Sequence, residues 1–183
     1  MKKESIEVLF TADEISRNLD TLARQIENDY LGQELVMVSV LTGSMMFVSD
    51  LARKIDNNKV DVRIDIISAS SYGLGTESGD RVNINLDTRE HLKGRNVMVV
   101  EDIVDTGKTL NFITYLLKYH QPSSVKICAL LNKPSRRDPA LKDLKIDYLA
   151  FPSIEDYFVV GYGLDCAQKY RNLPYVGILS FEE

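Results

Sequence analysis

The sequence predicts an α/β protein built on a mainly parallel, twisted sheet with helices on both faces. Residues 35–41 (LVMVSVL), 97–100 (VMVV) and 125–131 (VKICALL) are short, nearly unbroken apolar runs of the kind expected for strands buried on both faces. The first two runs are each followed by a polar turn and then by apolar residues at helical spacing. Strand and helix patterns go on alternating to the C-terminus, with no internal repeat, low-complexity tract or linker to divide residues 1–183.

One compact domain with a sizeable core suits a chain of 183 residues, 44% hydrophobic and 27% charged, and general disorder does not. The 22 Lys and Arg against 27 Asp and Glu leave a net charge of −5, so no overall basic field gathers nucleic acid or anionic lipid. Any phosphate site must be local. No apolar run approaches the roughly 20 residues of a membrane helix, and residues 1–4 lead into a charged segment rather than a signal-peptide core, so a cytosolic protein is expected. Cys128 and Cys166 have no second cysteine pair and no histidine at metal-ligand spacing, and read as reduced packing residues. His91 and His120 are isolated and read as surface residues rather than members of a nucleophile relay or zinc site.

The elements follow in order. Ile15, Leu19, Leu22 and Ile26 place one apolar stripe on a helix spanning 13–30, suited to covering a sheet. After the 35–41 strand, Thr42-Gly43-Ser44 breaks the chain before a helix whose Val48, Leu51, Ala52 and Ile55 share a face. Val60, Val62, Ile64 and Ile66 alternate with Asp61, Arg63 and Asp65, which predicts a strand with one solvated side. Residues 68–80 (SASSYGLGTESGD) lack periodicity and read as a long functional or disordered loop joining that strand to a neighbour at 81–86. Leu110, Ile113, Leu116 and Leu117 mark a third helix, and shorter strands are expected at 146–151, 158–160 and 175–179.

Chemistry concentrates at 99–110 (VVEDIVDTGKTL), where a buried strand runs into two adjacent carboxylates and then Asp105-Thr106-Gly107-Lys108-Thr109 ahead of a helix. A helix start offers unpaired amides and a positive dipole end, two threonine hydroxyls add donors, and Gly107 permits close approach; the loop predicts a phosphomonoester pocket. A nucleoside-triphosphate P-loop is excluded because its first glycine would fall at Asp102. A dinucleotide fingerprint at Gly73 and Gly75 fails because Ser78 stands at the third glycine and strand-like sequence follows. Glu101 and Asp102 would repel a phosphate unless they face hydrogen-bond donors or a cation; a ribose diol, with or without magnesium, meets that need. Alone, such a pair reads as capping or solvated loop acids. Its coincidence with a third acid and the Thr-Gly-Lys-Thr turn at a strand end favours a ribose 5-phosphate site.

The segment VVEDIVDTGKT resembles the phosphoribosyl pyrophosphate signature of the phosphoribosyltransferases. Four further blocks, in family order, extend the likeness over nearly the whole chain. Leu41-Thr42-Gly43-Ser44 is similar to the pyrophosphate loop, Ser70-Ser71-Tyr72-Gly73 to the flexible catalytic loop, and the segment 131–137 (LNKPSRR) to the base-recognition lysine segment. Residues 158–165 (FVVGYGLD), with Arg171 downstream, resemble the hypoxanthine-guanine subgroup.

The resemblance implies a type I phosphoribosyltransferase fold with a small hood from the chain ends, and a homo-oligomer, either dimer or tetramer. It implies magnesium-dependent transfer of 5-phosphoribosyl from phosphoribosyl pyrophosphate to a 6-oxopurine in purine salvage. A xanthine-preferring enzyme and a non-catalytic regulator that binds the donor are the alternatives. Among residues, it implies that Glu101 and Asp102 hold ribose hydroxyls and, with Asp165, magnesium. The 5-phosphate falls to Asp105, Thr106, Gly107, Lys108 and Thr109, with Asp105 also the proton acceptor. Lys133 donates to the 6-oxo group, Phe158 stacks on the purine, and Val159 offers backbone to its edge. Thr42, Gly43, Ser44 and Arg171 take pyrophosphate, with a non-proline cis peptide at Leu41-Thr42. Thr42 departs from relatives carrying Lys or Arg there. Ser71 and Tyr72 belong to the loop that covers the reacting centre.

Overall fold

The computed structural model describes residues 3–72 and 81–182. A six-stranded sheet runs in the order β4-β3-β2-β5-β6-β7, where β2 is Glu34–Leu41, β3 Asp61–Tyr72, β4 Arg81–Leu86, β5 Asn96–Val104, β6 Ser124–Asn132 and β7 Tyr148–Phe151. All neighbours are parallel except β3 and β4. The α-helices among the described residues are α1 (Ala12–Asp29), α2 (Met45–Lys54) and α3 (Lys108–Lys118).

The apolar runs of β2, β5 and β6 lie in the middle of the sheet, and their side chains feed two cores, one on each face. Ile15, Leu19, Leu22 and Ile26 of α1 and Phe47 and Leu51 of α2 enter one core; Leu110, Ile113 and Leu117 of α3 enter the other. Each fully buried aliphatic side chain contributes about 1.5–3 kcal/mol, enough for the two helix layers to hold the sheet between them. A capping box starts α1: Glu14 N donates to Thr11 Oγ1 at 3.3 Å, and Thr11 N donates to Glu14 Oε2 at 2.9 Å.

A second sheet, β1-β9-β8, is antiparallel and joins the chain ends: β1 (Lys3–Phe10) pairs with β9 (Val176–Glu182), which pairs with β8 (Val159–Val160). This is the small hood that the resemblance implies, and β1 is a strand that periodicity did not announce.

Two expectations need correction at β3. Its predicted alternation fails mid-strand: Asp61 and Arg63 are exposed as expected, but Ile64 is 53% exposed and Asp65 only 5%. Asp65 can be buried because its carboxylate accepts three main-chain donors, from Ile66, Arg89 and Glu90, at 2.8–2.9 Å. The expected 68–80 loop also starts later, because residues 68–72 extend β3 and pair with β4. Residues 73–80 lie outside the described residues.

Candidate active site

The site forms where β5 ends. Its C-terminal half carries Glu101 and Asp102, after which the chain crosses residues 105–107 and enters α3. Gly107 caps α3 with φ +83°, a left-handed conformation that a side chain resists. A cavity of about 90 Å³ opens beside this turn, lined by Glu101, Asp105, Thr106, Gly107 and Thr109 among others. The first amides of α3 have no intrahelical acceptor, which suits this end of the cavity to an anion.

Three successive carbonyls of the turn are tied on its other side. Lys133 N donates to Val104 O at 2.9 Å, Arg137 Nη1 to Asp105 O at 3.0 Å, and Asp138 N to Thr106 O at 3.1 Å. Lys108 pairs with Asp138 at 3.6 Å. The segment after β6 thus fastens the turn.

Burial pushes the Glu101 carboxyl well above its ordinary range, with the neighbouring Asp102 charge adding to the effect. Burial also raises Asp102, against the lowering effects of its hydrogen bonds and of Arg171. Glu101 Oε2 is buried and has no hydrogen-bond partner among the described residues, while Asp102 Oδ1 accepts from Ile103 N at 2.7 Å. An orphaned carboxylate oxygen beside a second carboxylate suits sugar hydroxyls or a hard cation. No group of three His, Cys, Asp or Glu residues that could hold a metal occurs among the described residues. Asp165 therefore does not join Glu101 and Asp102 in a cage; it pairs with Arg171 at 2.7 Å and accepts from Gln168 N at 2.7 Å. Magnesium fits here in its usual manner, held by one or two carboxylates together with oxygens of a bound phosphate.

The turn of Thr42, Gly43 and Ser44 abuts the acid pair. Leu41-Thr42 is a cis peptide, and a Cβ on Gly43 would stand 1.6 Å from Asp102 Oδ2. Ser44 is fully buried, its Oγ donating to Val40 O at 2.6 Å and its carbonyl accepting from Val48 N at 2.9 Å, so its side chain is not available to a ligand. Against Gly43 lies Gly163, φ +102°, where a Cβ would meet Gly43 O at 2.0 Å. Arg171 Nη1 donates to Gly163 O at 2.7 Å, which brings the C-terminal loop to this wall. Tyr162, also at positive φ, is held by its hydroxyl on Asp50 Oδ2 at 2.6 Å.

The fold brings Lys133 to the same end of the sheet. It is only 9% exposed, and its Nζ donates to Tyr157 O at 2.5 Å and pairs with Asp156 at 3.6 Å. Phe158 is 52% exposed and sits just before β8, while Val159 lies within β8, opposite Ile178. Asp105 faces Arg136 at 3.4 Å. Ser71 and Tyr72 end β3, paired with Val82 and Arg81, and their side chains lie outside the described residues. Cys128 and Cys166 are both free, and Cys128 is buried.

Residues 5–166 match the phosphoribosyl transferase domain family. The chain belongs to this family. Phosphoribosyl transferase relatives match it end to end: it is 44% identical to a hypoxanthine phosphoribosyltransferase of Salmonella typhimurium, over 96% of each chain. It is 38% identical to a hypoxanthine-guanine phosphoribosyltransferase of Streptococcus thermophilus, over 100% of this chain and 97% of that one. Among solved phosphoribosyl transferases, a hypoxanthine-guanine phosphoribosyltransferase of Bacillus anthracis superposes with a TM-score of 0.86 at 42% identity, covering 97% of this chain and 100% of that one. The six-stranded sheet with helices on both faces and the hood from the chain ends is accordingly the phosphoribosyl transferase fold.

Sequence reasoning named neither Gly163, Arg137 nor Asp138 as part of the site. Gly163 and Arg137 had a weak signal, lying within the FVVGYGLD and LNKPSRR blocks, and Asp138 had none. Arg137 and Asp138 act through main-chain carbonyls of a distant segment, which residue type does not disclose.

Proposed function

We propose that the chain is a magnesium-dependent hypoxanthine (guanine) phosphoribosyltransferase that makes IMP, and GMP from guanine, in purine salvage. The observation that supports this most is the single strand end of β5, where a buried acid pair with an orphan oxygen adjoins a helix start opening on a small cavity. Glu101 and Asp102 hold the ribose hydroxyls and would hold a magnesium ion, and Asp165, which lies outside that pair beside Arg171, would serve magnesium bound on the pyrophosphate side. The main chain and hydroxyls of residues 105–109 hold the 5-phosphate. Gly43 and Ser44 amides, Thr42 and the Arg171 guanidinium hold pyrophosphate.

Transfer breaks the bond from the anomeric carbon to pyrophosphate and forms one to an imidazole-ring nitrogen of the purine, whose proton passes to Asp105. Magnesium, when held by Glu101 and Asp102, would supply neutralisation of charge on the leaving pyrophosphate. Lys133 only donates hydrogen bonds, so it accepts a 6-oxo group and rejects the 6-amino group of adenine. Phe158 stacks on the base, Val159 presents main chain to its edge, and Tyr72 with Ser71 excludes water from the reacting centre. We place the enzyme in the cytosol as a homo-oligomer.

A steady-state panel of hypoxanthine, guanine, xanthine and adenine with the donor, with and without magnesium, tests the reading. Pyrophosphate release with hypoxanthine or guanine, lost without magnesium and absent with adenine, is expected. Preference for xanthine would reassign the base, and no release with any 6-oxopurine would leave a donor-binding regulator.

A further inference from the structure

The phosphate turn is fastened from behind by a segment to which no role has been given beyond Lys133. Of the three ties to its successive carbonyls, two come from main-chain amides, Lys133 N and Asp138 N, and would survive most substitutions. The middle one is a side chain. Arg137 Nη1 donates to Asp105 O at 3.0 Å while Nη2 donates to Asn132 Oδ1 at 2.6 Å, so one guanidinium spans from the turn to the end of β6. Asn132 is itself fixed: its Nδ2 donates to Pro152 O at 3.0 Å and its carbonyl accepts from Ile154 N at 2.9 Å. The guanidinium also packs under the capping glycine, where a Cβ on Gly107 would come within 2.9 Å of Nη1.

A peptide unit has two ends. Holding the Asp105 carbonyl backward turns the Thr106 amide, on the same peptide plane, forward toward the cavity. We propose that Arg137 is a positioning residue for the 5-phosphate: it sets the orientation of the turn's amides from beneath and never touches the ligand. The planar fork suits this task because it reaches two acceptors at fixed separation, which a lysine ammonium cannot do.

The inference rests on the phosphoribosyltransferase reading, since it uses IMP as its probe. Affinities for IMP and for inosine, the same nucleoside without its phosphate, are measured by calorimetry on the full-length chain and on the R137Q and R137K variants. The wild type should prefer IMP strongly. R137Q should lose about tenfold or more of that preference, with inosine affinity nearly unchanged, and R137K should fall between the two. A merely structural role would lower thermal stability and weaken both ligands alike, leaving the ratio where it was; that result overturns the proposal. Should R137Q fail to fold, R137K decides alone, and a wild-type ratio in it likewise overturns the proposal. A wild-type chain with no preference for IMP over inosine would overturn the functional reading itself, before any variant is considered.

Discussion

Gly43→Ala is the sharpest probe of the wall between the pyrophosphate turn and the acid pair. Gly43 does not sit in the left-handed region, so alanine costs little backbone strain there. Its Cβ, however, would stand 1.6 Å from Asp102 Oδ2 and 2.6 Å from Asp102 Cγ, where ordinary contact begins at 3.4 Å. The carboxylate must therefore retreat by about 1.8 Å, and it is not free to swing because Oδ1 is bonded to Ile103 N at 2.7 Å. Overpacking of this kind costs about 1–3 kcal/mol of stability. A misplacement of roughly 1 Å at a substrate-gripping group lowers catalysis about 100-fold. We expect kcat/KM for phosphoribosyl pyrophosphate to fall by about that factor in G43A. The decisive assay is a double-mutant cycle with Asp102→Ala, which removes the atoms the new methyl would strike. If the damage travels through Asp102, adding G43A to D102A should change kcat/KM by no more than about twofold. Full additivity of the two losses would refute the reasoning and locate the role of Gly43 in its own main chain.

Glu101→Gln should stabilise the ligand-free protein at neutral pH by about 1–3 kcal/mol, because it replaces a buried, unpartnered carboxylate oxygen with a donor facing Asp102. It should at the same time weaken the donor sugar phosphate, so thermal shift and donor titration move in opposite directions. The sign with pH follows from burial. A carboxyl whose folded pKa lies above its unfolded one makes the native state bind more protons, so stability of the ligand-free wild type falls as pH rises from the ordinary carboxylate range through the raised value. Denaturation across that window should show a flatter slope in E101Q than in wild type. Lys133→Ala should reduce kcat/KM for hypoxanthine by about 10- to 100-fold, the worth of a charge-assisted hydrogen bond, and narrow the discrimination against adenine. Gly163→Ala combines φ +102° with a Cβ placed 2.0 Å from Gly43 O; melting should drop by several degrees, about 2–4 °C for each kcal/mol lost.

Legibility in the sequence tracked contiguity. The strand, acid pair, turn and helix at 96–118 occupy one stretch, so their order alone implied an anion site with a sugar beside it. The contacts that shape the site are between distant segments. Gly43 meets Asp102 and Gly163, and Arg137 meets Asp105, only once the parallel sheet has aligned the ends of β2, β5 and β6. Asp65 was misread for a related reason. Alternation places charge on the solvated face unless something donates to it, and two of its three donors, the amides of Arg89 and Glu90, lie more than twenty residues away. β1 escaped notice because its partner, β9, is at the other end of the chain.

The two unpartnered polar atoms at this wall explain why the ligand-free site should welcome its donor. Buried polar groups in folded proteins are nearly always hydrogen-bonded, yet Glu101 Oε2 accepts from nothing and Arg171 Nε donates to nothing. They are of opposite character, one an acceptor in the acid pair and the other a donor on the C-terminal loop that reaches the same wall through Gly163. Apolar replacement of Glu101 would stabilise the free fold, so packing does not account for its carboxylate; the Arg171 Nε is the remaining donor of a guanidinium whose other nitrogens serve Gly163 O and Asp165. A ligand offering hydroxyl donors at one end and phosphate acceptors at the other satisfies both atoms at once, and no neutral purine alone can. The unmet hydrogen bonds therefore favour filling by the sugar donor before the base, an order that initial-rate product inhibition would detect as competition between IMP and phosphoribosyl pyrophosphate and not between IMP and hypoxanthine. Competition of IMP with the base alone would place the first binding event at Lys133 and Phe158.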